Sequence, residues 1–338
     1  MIDEFIPVGK LPPDLLAELL ADTPIEDDSV VLGPGPGLDC AVLDLGETML
    51  VLKSDPITFT ADDLGWYLVQ INANDIATTG ATPRWLLVTL LFPENATSEH
   101  LVRSTFKQLY DACAENDIAL IGGHSEITHA IDRPIAMGTL IGEVNRELLV
   151  TPQGAAPGDR LLLTKCVPIE AVAILAREFE ERLKGVLSED EIELGQAYLV
   201  DPGISVLLDA QIAVSSGRVN AMHDPTEGGL GAALWELADA CGHRIVVDLK
   251  LVPVPSLARR ICDELGVDPL LAISSGALLL SVPNEDHGRT VAALRAANIP
   301  STIIGRVECG EPGVWELTQT GTQSLDRPLR DEIARLFD

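Results

Sequence analysis

Basic residues are scarce in this chain of 338 residues: 23 Lys and Arg stand against 52 Asp and Glu, a formal net charge of −29. That surplus repels phosphate backbones and anionic lipid surfaces, so neither nucleic acid nor a membrane is an expected partner. Long apolar runs are missing too. The longest largely apolar stretch, Trp85 to Phe92, falls far short of the roughly 18 residues a spanning helix needs. The start, Met1-Ile2-Asp3-Glu4, has no basic segment of the kind that opens a secretory leader, and a cytoplasmic location is expected. Cys40, Cys113, Cys166, Cys241, Cys262 and Cys309 are scattered and form no C-x-x-C pair, which predicts reduced, packed thiols. Low-complexity tracts and short-period repeats are also absent. What is present, 46% hydrophobic residues, suffices for two ordinary domains with a core each.

Apolar patterning predicts an α+β protein. Met49 to Leu52 reads as a strand, and Leu64, Leu68, Ile71 and Asp75 recur at helical spacing before Gly80. Trp85 to Phe92 reads as a buried strand, Ser98 as the cap of a helix carrying Val102, Phe106, Leu109 and Cys113, and Ile118 to Ile121 and Ile135 to Ile141 as two further strands. The breaker-rich segment from Thr151 to Gly158 separates this unit from a second of like content, so domains are expected at 1–152 and 153–338. In the second, strand Leu161 to Leu163 precedes a long helix from about Ile169, with helices near Ser205 and Leu230. Strands are expected at Ile245 to Val247, Ala277 to Val282 and Ile303 to Val307.

An acidic protein that binds a polyanion needs local neutralisation by a divalent cation, backbone N–H groups or a few placed cations. Gly33-Pro-Gly-Pro-Gly-Leu-Asp39 is either a tight loop before a strand or a path along which N–H groups approach an anion. Asp55 lies at the carboxyl end of the strand carrying Lys53, where open α/β sheets bind ligands, or is simply the turn residue before Pro56. Asp75 falls on the helix face that should be apolar; a carboxylate there must be paired, capped or bound to a metal, and Asn72 and Asn74 add amides beside it. Gly122-Gly123-His124-Ser125-Glu126 follows a strand with an imidazole, a hydroxyl and a carboxylate. Zinc held by His124 and His129 is one reading. The other is an all-oxygen set from Asp39, Asp55, Asp75 and Glu126, which suits Mg²⁺ on nucleotide phosphates. His223-Asp224-Pro-Thr226-Glu227-Gly228-Gly229 opens the helix from Leu230. It is a start capped by Thr226 or Asp224, or an anion site with His223, Asp224 and Glu227 as an acid–base set.

In this order the motifs resemble the PurM-like superfamily of aminoimidazole-ribonucleotide (AIR) synthase, selenophosphate synthetase, thiamine-monophosphate kinase and the hydrogenase-maturation dehydratases. The likeness spans roughly residues 30 to 310 and is nearest the last branch, through Asn74 to Ala81, Gly122 to Glu126, His223 to Gly229, Asp268-Pro-Leu and Ser274-Ser-Gly276. It implies ATP and Mg²⁺ as cofactors and phosphoryl transfer to an oxygen of a small-molecule substrate, or else a nucleotide-binding assembly protein without catalysis. It implies a homodimer whose N-terminal domains share a β-barrel. Asp39, Asp55, Asp75 and Glu126 take the Mg·ATP places; Gly35, Gly37, Lys53, Asn74, Gly123, Gly228 and Gly229 join the nucleotide contacts; His223, Asp224, Glu227 and His124 are candidate catalytic groups. The chain departs from the branch at three places. It ends Ala334-Arg-Leu-Phe-Asp338 in place of Pro-Arg-X-Cys, has Leu38-Asp39 for Asp-Asp, and has Glu227 for an Arg. Cyanide-forming chemistry on its own tail is therefore not expected.

Overall fold

The computed structural model describes residues 11–337 except 22, 25, 26, 36, 59 and 61, so the Met1 to Glu4 segment read above, and Pro36 of the glycine-rich loop, lie outside the described residues. Chain order is α1 (Pro13–Ala21), β1 (Val30–Leu32), β2 (Ala41–Asp44), β3 (Met49–Ile57), α2 (Leu64–Thr78), β4 (Thr82–Pro93), α3 (Glu99–Glu115), β5 (Ala119–Thr128) and β6 (Ile135–Val144). The second half runs β7 (Arg160–Thr164), α4 (Glu170–Glu178), α5 (Glu180–Leu183), α6 (Glu189–Gln196), α7 (Leu207–Ser216), β8 (Ala221–His223), α8 (Gly229–Cys241) and β9 (Arg244–Val247). It continues with α9 (Ser256–Leu265), β10 (Leu279–Val282), α10 (His287–Ala296), β11 (Ser301–Glu308), β12 (Gly313–Thr318) and β13 (Gly321–Ser324).

Two sheets result, in strand orders β1-β2-β3-β6-β4-β5 and β13-β12-β9-β11-β7-β10-β8. The expected break at 152/153 falls between them. Helix α2 is the hinge of the architecture, because it packs on the first sheet and is buried along almost its whole length between that sheet and the second domain. One apolar cluster accordingly runs through both halves, from Val51, Leu68 and Leu140 to Ala171, Val206 and Ile261. Ser98 caps α3 as expected, accepting from the Leu101 N–H at 3.1 Å.

Three expectations need correction. The Trp85 to Phe92 run is not buried on both faces: within β4, Leu86, Val88 and Leu90 are buried in the layer that holds α2 while Leu87 is exposed, because successive side chains of a strand point to opposite faces. The strand expected to end at Ile121 continues to Thr128 as an exposed edge. Gly123 makes this possible, since a Cβ there would stand 1.8 Å from the Val88 carbonyl oxygen. The long helix from Ile169 is instead three shorter ones, broken at Phe179 and again before Ser188, which caps α6 in a capping box with Glu191.

Candidate active site at the domain junction

Lys53 on β3 and Asp75 on α2 meet because both point into the layer between sheet and helix. The Lys53 Nζ lies 2.9 Å from Asp75 Oδ2 and 3.3 Å from Asp55 Oδ1. The first contact has the distance of an ion pair without the angles of a hydrogen bond. Burial raises the Asp75 pKa well above the usual carboxylate range; Lys53 opposes this, while Asp224, Asp39 and Asp55 add to it. Burial lowers the Lys53 pKa, but Asp75, Asp39 and Asp55 outweigh it and carry the ammonium upward, Asp75 foremost. Asn72 fixes Asp55 by accepting from its backbone N–H at 3.1 Å, and the Cys40 thiol donates to the Asp75 carbonyl at 3.3 Å.

The second domain adds the end of β8. His223 is buried between two carboxylates, with Nδ1 3.0 Å from Asp39 Oδ2 and Nε2 2.8 Å from Glu236 Oε2, the latter a well-formed hydrogen bond. Burial disfavours the imidazolium, yet Asp39 and Glu236 outweigh it and carry the pKa well above the ordinary histidine value. Next to it Asp224 is buried with neither carboxylate oxygen partnered, and burial pushes its pKa to about 6. Ligand atoms of Asp39, His223 and Asp224 lie within 4.8 Å of one another. Orphaned buried oxygens beside further carboxylates are the donor set of a hard divalent cation. Since carboxylates engage both His223 nitrogens, the imidazole serves as a charge partner and the oxygens fit Mg²⁺.

Asp39, Lys53, Asp55, Asp75, His223 and Asp224 thus converge from both domains. Glu126 does not join them within one chain. Asp55 is in register with Gly138, Gly138 with Val88, and Val88 with Gly123, so β5 is three strands from β3, about 14 Å by the usual strand spacing. Glu126 and His124 moreover alternate onto the open face, with Leu91 and Thr89, where they contact each other at 3.1 Å. His129 is exposed near a surface cleft of about 580 Å³ by Thr58 and Arg133, and no zinc cluster with His124 exists among the described residues. His124, His129 and His223 are therefore dispersed.

The glycine-rich motifs also serve other ends than expected. Gly37, at φ 71°, lets its loop lie against α8, where a Cβ would be 2.8 Å from the Glu236 carbonyl oxygen; this approach is to protein backbone. Gly35 would meet only the flexible Leu38 side chain. Asn74 spends both ends of its amide on the junction, donating to Ile204 O at 2.7 Å and accepting from Val206 N–H at 2.9 Å. At the start of α8 neither Thr226 nor Asp224 is the cap: Asp331, from the C-terminal segment, accepts from the Gly228 N–H at 2.6 Å, beside Gly229 and Glu227.

Glu236, Lys165, Glu170 and Asp331 carry polar structure at the junction but belong to no motif read above. Lys165, in a left-handed backbone conformation, donates to the carbonyls of Ser205 and Gly276 at 2.6 and 2.9 Å and pairs with Asp209 at 3.3 Å. The signal available in sequence was weak: a charged residue within an apolar run, as in Ile169-Glu170-Ala-Val-Ala.

Family models described as AIR synthase related protein, N-terminal domain and C-terminal domain match residues 37–144 and 156–314. Over 338 aligned positions the chain is 28% identical to a putative hydrogenase expression/formation protein of Methanocaldococcus jannaschii, covering 95% of this chain and 96% of that one. Among solved structures it resembles the hydrogenase maturation protein HypE in complex with ATP, with TM-score 0.71, 23% identity and coverage of 94% and 90%. It also resembles AaThiL complexed with AMPPCP and TMP, with TM-score 0.73, 20% identity and 94% of each chain covered.

Proposed function

The chain belongs to the AIR synthase related family, and from that premise we propose that it is an Mg²⁺-dependent enzyme transferring a phosphoryl group from ATP to an oxygen of a small-molecule substrate. One observation carries the reading: Asp224 is buried with neither carboxylate oxygen partnered, and it shares the junction with Asp39, Asp55 and Asp75. Buried carboxylate oxygens left without a donor are incomplete without a cation. Oxygens of Asp39, Asp55, Asp75 and Asp224 would hold Mg²⁺, which supplies charge neutralisation for the phosphates. Lys53 orients Asp55 and Asp75, and His223 holds Asp39 in place from the other domain. Solved relatives in complex with ATP and with AMPPCP support nucleotide as the ligand. The domain division at 152/153 puts the site at the junction of the two units.

Millimolar ATP with Mg²⁺ is expected to raise the melting temperature, because a ligand at 100 times its Kd adds about 2.7 kcal/mol to native stability. EDTA should abolish the shift. Absence of any shift in a folded sample would sink the nucleotide reading. Asp331 on the Gly228 N–H favours a second reading, a nucleotide-binding assembly protein whose α8 anion site is closed by its own tail. Magnesium-dependent ATP turnover by the purified protein decides between the two.

A homodimer closed through β5 is part of the same proposal. That edge strand is exposed along nearly its whole length, with Ile121 and Ile127 both more than half accessible, and an unpaired apolar edge invites pairing. In such a pair Glu126 and His124 face the shared interior. Ile127→Lys should yield a monomer by light scattering; a monomeric wild type at micromolar concentration would contradict the arrangement.

A further inference from the structure

A second group of buried polar side chains lies beside the site just described. Glu170, the first residue of α4, is wholly buried and neither of its carboxylate oxygens has a hydrogen-bond partner. Ser274 and Ser275 are wholly buried with unpartnered hydroxyls. The Ser275 hydroxyl is near enough to Glu170 to favour the carboxylate, but no bond of acceptable geometry forms. The charges Glu170 feels most strongly, those of Asp331, Glu227 and Asp224, all share its own sign. Its neighbours in the first turn of α4, Ala171, Val172 and Ala173, are apolar and wholly buried, and the Ala171 N–H already donates to Ile273 O. Packing alone gives no reason for a carboxylate here, since a buried charge without a partner destabilises the fold.

The carboxylate oxygens of Glu170 only accept, so the partner they lack is a donor, and the serine hydroxyls, which both accept and donate, can join in holding it. The local charge makes it a cation. The Ala171 N–H on the Ile273 carbonyl joins the first turn of α4 to the Ser274-Ser275 segment, and Leu279, four residues after Ser275, pairs with His223, so the second group lies beside the end of β8 that carries Asp224. We propose that Glu170, Ser274 and Ser275 form the subsite for a positively charged, N–H-bearing end of the substrate, an ammonium or an amidinium. An amidinium matches a carboxylate with two parallel N–H bonds; an ammonium offers three donors, shared between Glu170 and the two serines. This rests on the reading of the junction as an Mg·ATP-dependent active site, and it narrows that site's substrates to cations while turning away anions of similar size.

The test uses the full chain and three probes, methylammonium, acetamidinium and guanidinium, against acetamide and acetate, by saturation-transfer NMR with and without Mg·ATP. At least one cationic probe should saturate, the two controls should not, and preference among the three identifies the cation. Glu170→Gln should weaken that probe by at least about tenfold, and Ser275→Ala by less, as loss of a charge-assisted and of a neutral hydrogen bond respectively. Both variants should keep the wild-type affinity for Mg·ATP, measured in a separate titration. Glu170→Gln keeps the side-chain volume and removes an unpaired charge, so its nucleotide-free melting temperature should rise, which also reports that it folds. Failure of every cationic probe to saturate, or equal binding to Glu170→Gln, overturns the subsite. Failure of the wild type to bind Mg·ATP overturns the nucleotide reading instead, and shows in the other titration.

Discussion

Replacing Lys53 by Met is expected to lower the stability of the nucleotide-free protein by about 3–5 kcal/mol near pH 8, the usual cost of stranding a buried charge. Lys53 is the basic group in contact with both Asp55 and Asp75, and Asp75 already has Asp224 and Asp39 as like-charged neighbours. Without the ammonium, burial and repulsion act on Asp75 together. The loss should shrink toward acid pH, where Asp75 takes up a proton and the stranded charge disappears. Asp75→Asn should behave in the opposite way. It removes one member of an overcrowded set and leaves Lys53 its contact with Asp55, so nucleotide-free stability is held or raised. Mg·ATP affinity should fall by about two orders of magnitude, roughly 2.7 kcal/mol, because an amide is a poor substitute for a carboxylate on a hard cation. Urea unfolding and ATP titration of both variants check this. If Asp75→Asn loses several kcal/mol while its ATP affinity is unaltered, Asp75 is a structural partner of Lys53 and not a ligand.

The difference between the two variants also explains what could be read from sequence. Asp75 is legible as a buried carboxylate because helical spacing alone puts it on a covered face, whereas the strand end expected at Asp55 is not one: β3 runs on to Ile57 and holds Lys53 and Asp55 within it, paired with β6. That Glu126 stands apart from the other carboxylates within one chain is not legible, because facing in a strand depends on register. The pairing of β4 with β5 shifts by one residue between Leu86 and Leu87, and a shift of one sends every later side chain to the other face. Nothing in a single sequence marks that shift. Glu236 was invisible since its role depends on His223, 13 residues away across the turn from β8 into α8. Asp331 was hidden for the same reason at longer range: it caps Gly228 from 103 residues downstream, and the local candidates Thr226 and Asp224 were the natural choice on proximity.

Stability of the nucleotide- and metal-free protein should fall as pH rises from about 4.5 to 7, and Glu170 is the main reason. Burial pushes its pKa from 4.5 to about 7. Between those values the folded chain holds a proton that the unfolded chain has released, so each rise in pH favours unfolding; above 7 both states are ionised and the full penalty stands. A displacement of that size corresponds to a few kcal/mol, on the order of 3. Asp224 and Asp331, both raised to about 6 by burial, act in the same sense over a lower window, from 3.8 to 6. The imidazolium of His223 adds to the decline later: its folded pKa is raised, so its contribution is complete below about 6.5 and is lost as pH climbs through the higher folded value. Glu170→Gln cannot titrate and should therefore show a shallower slope between pH 4.5 and 7, with its advantage over wild type growing across that interval and constant above it. Chemical denaturation of both proteins at half-unit steps from pH 4.5 to 8.5, with EDTA present, measures the two slopes. Parallel curves would mean that Glu170 is ionised throughout, with a cationic or donor partner supplied by the protein itself, and would remove the unpaired carboxylate on which the cation subsite depends.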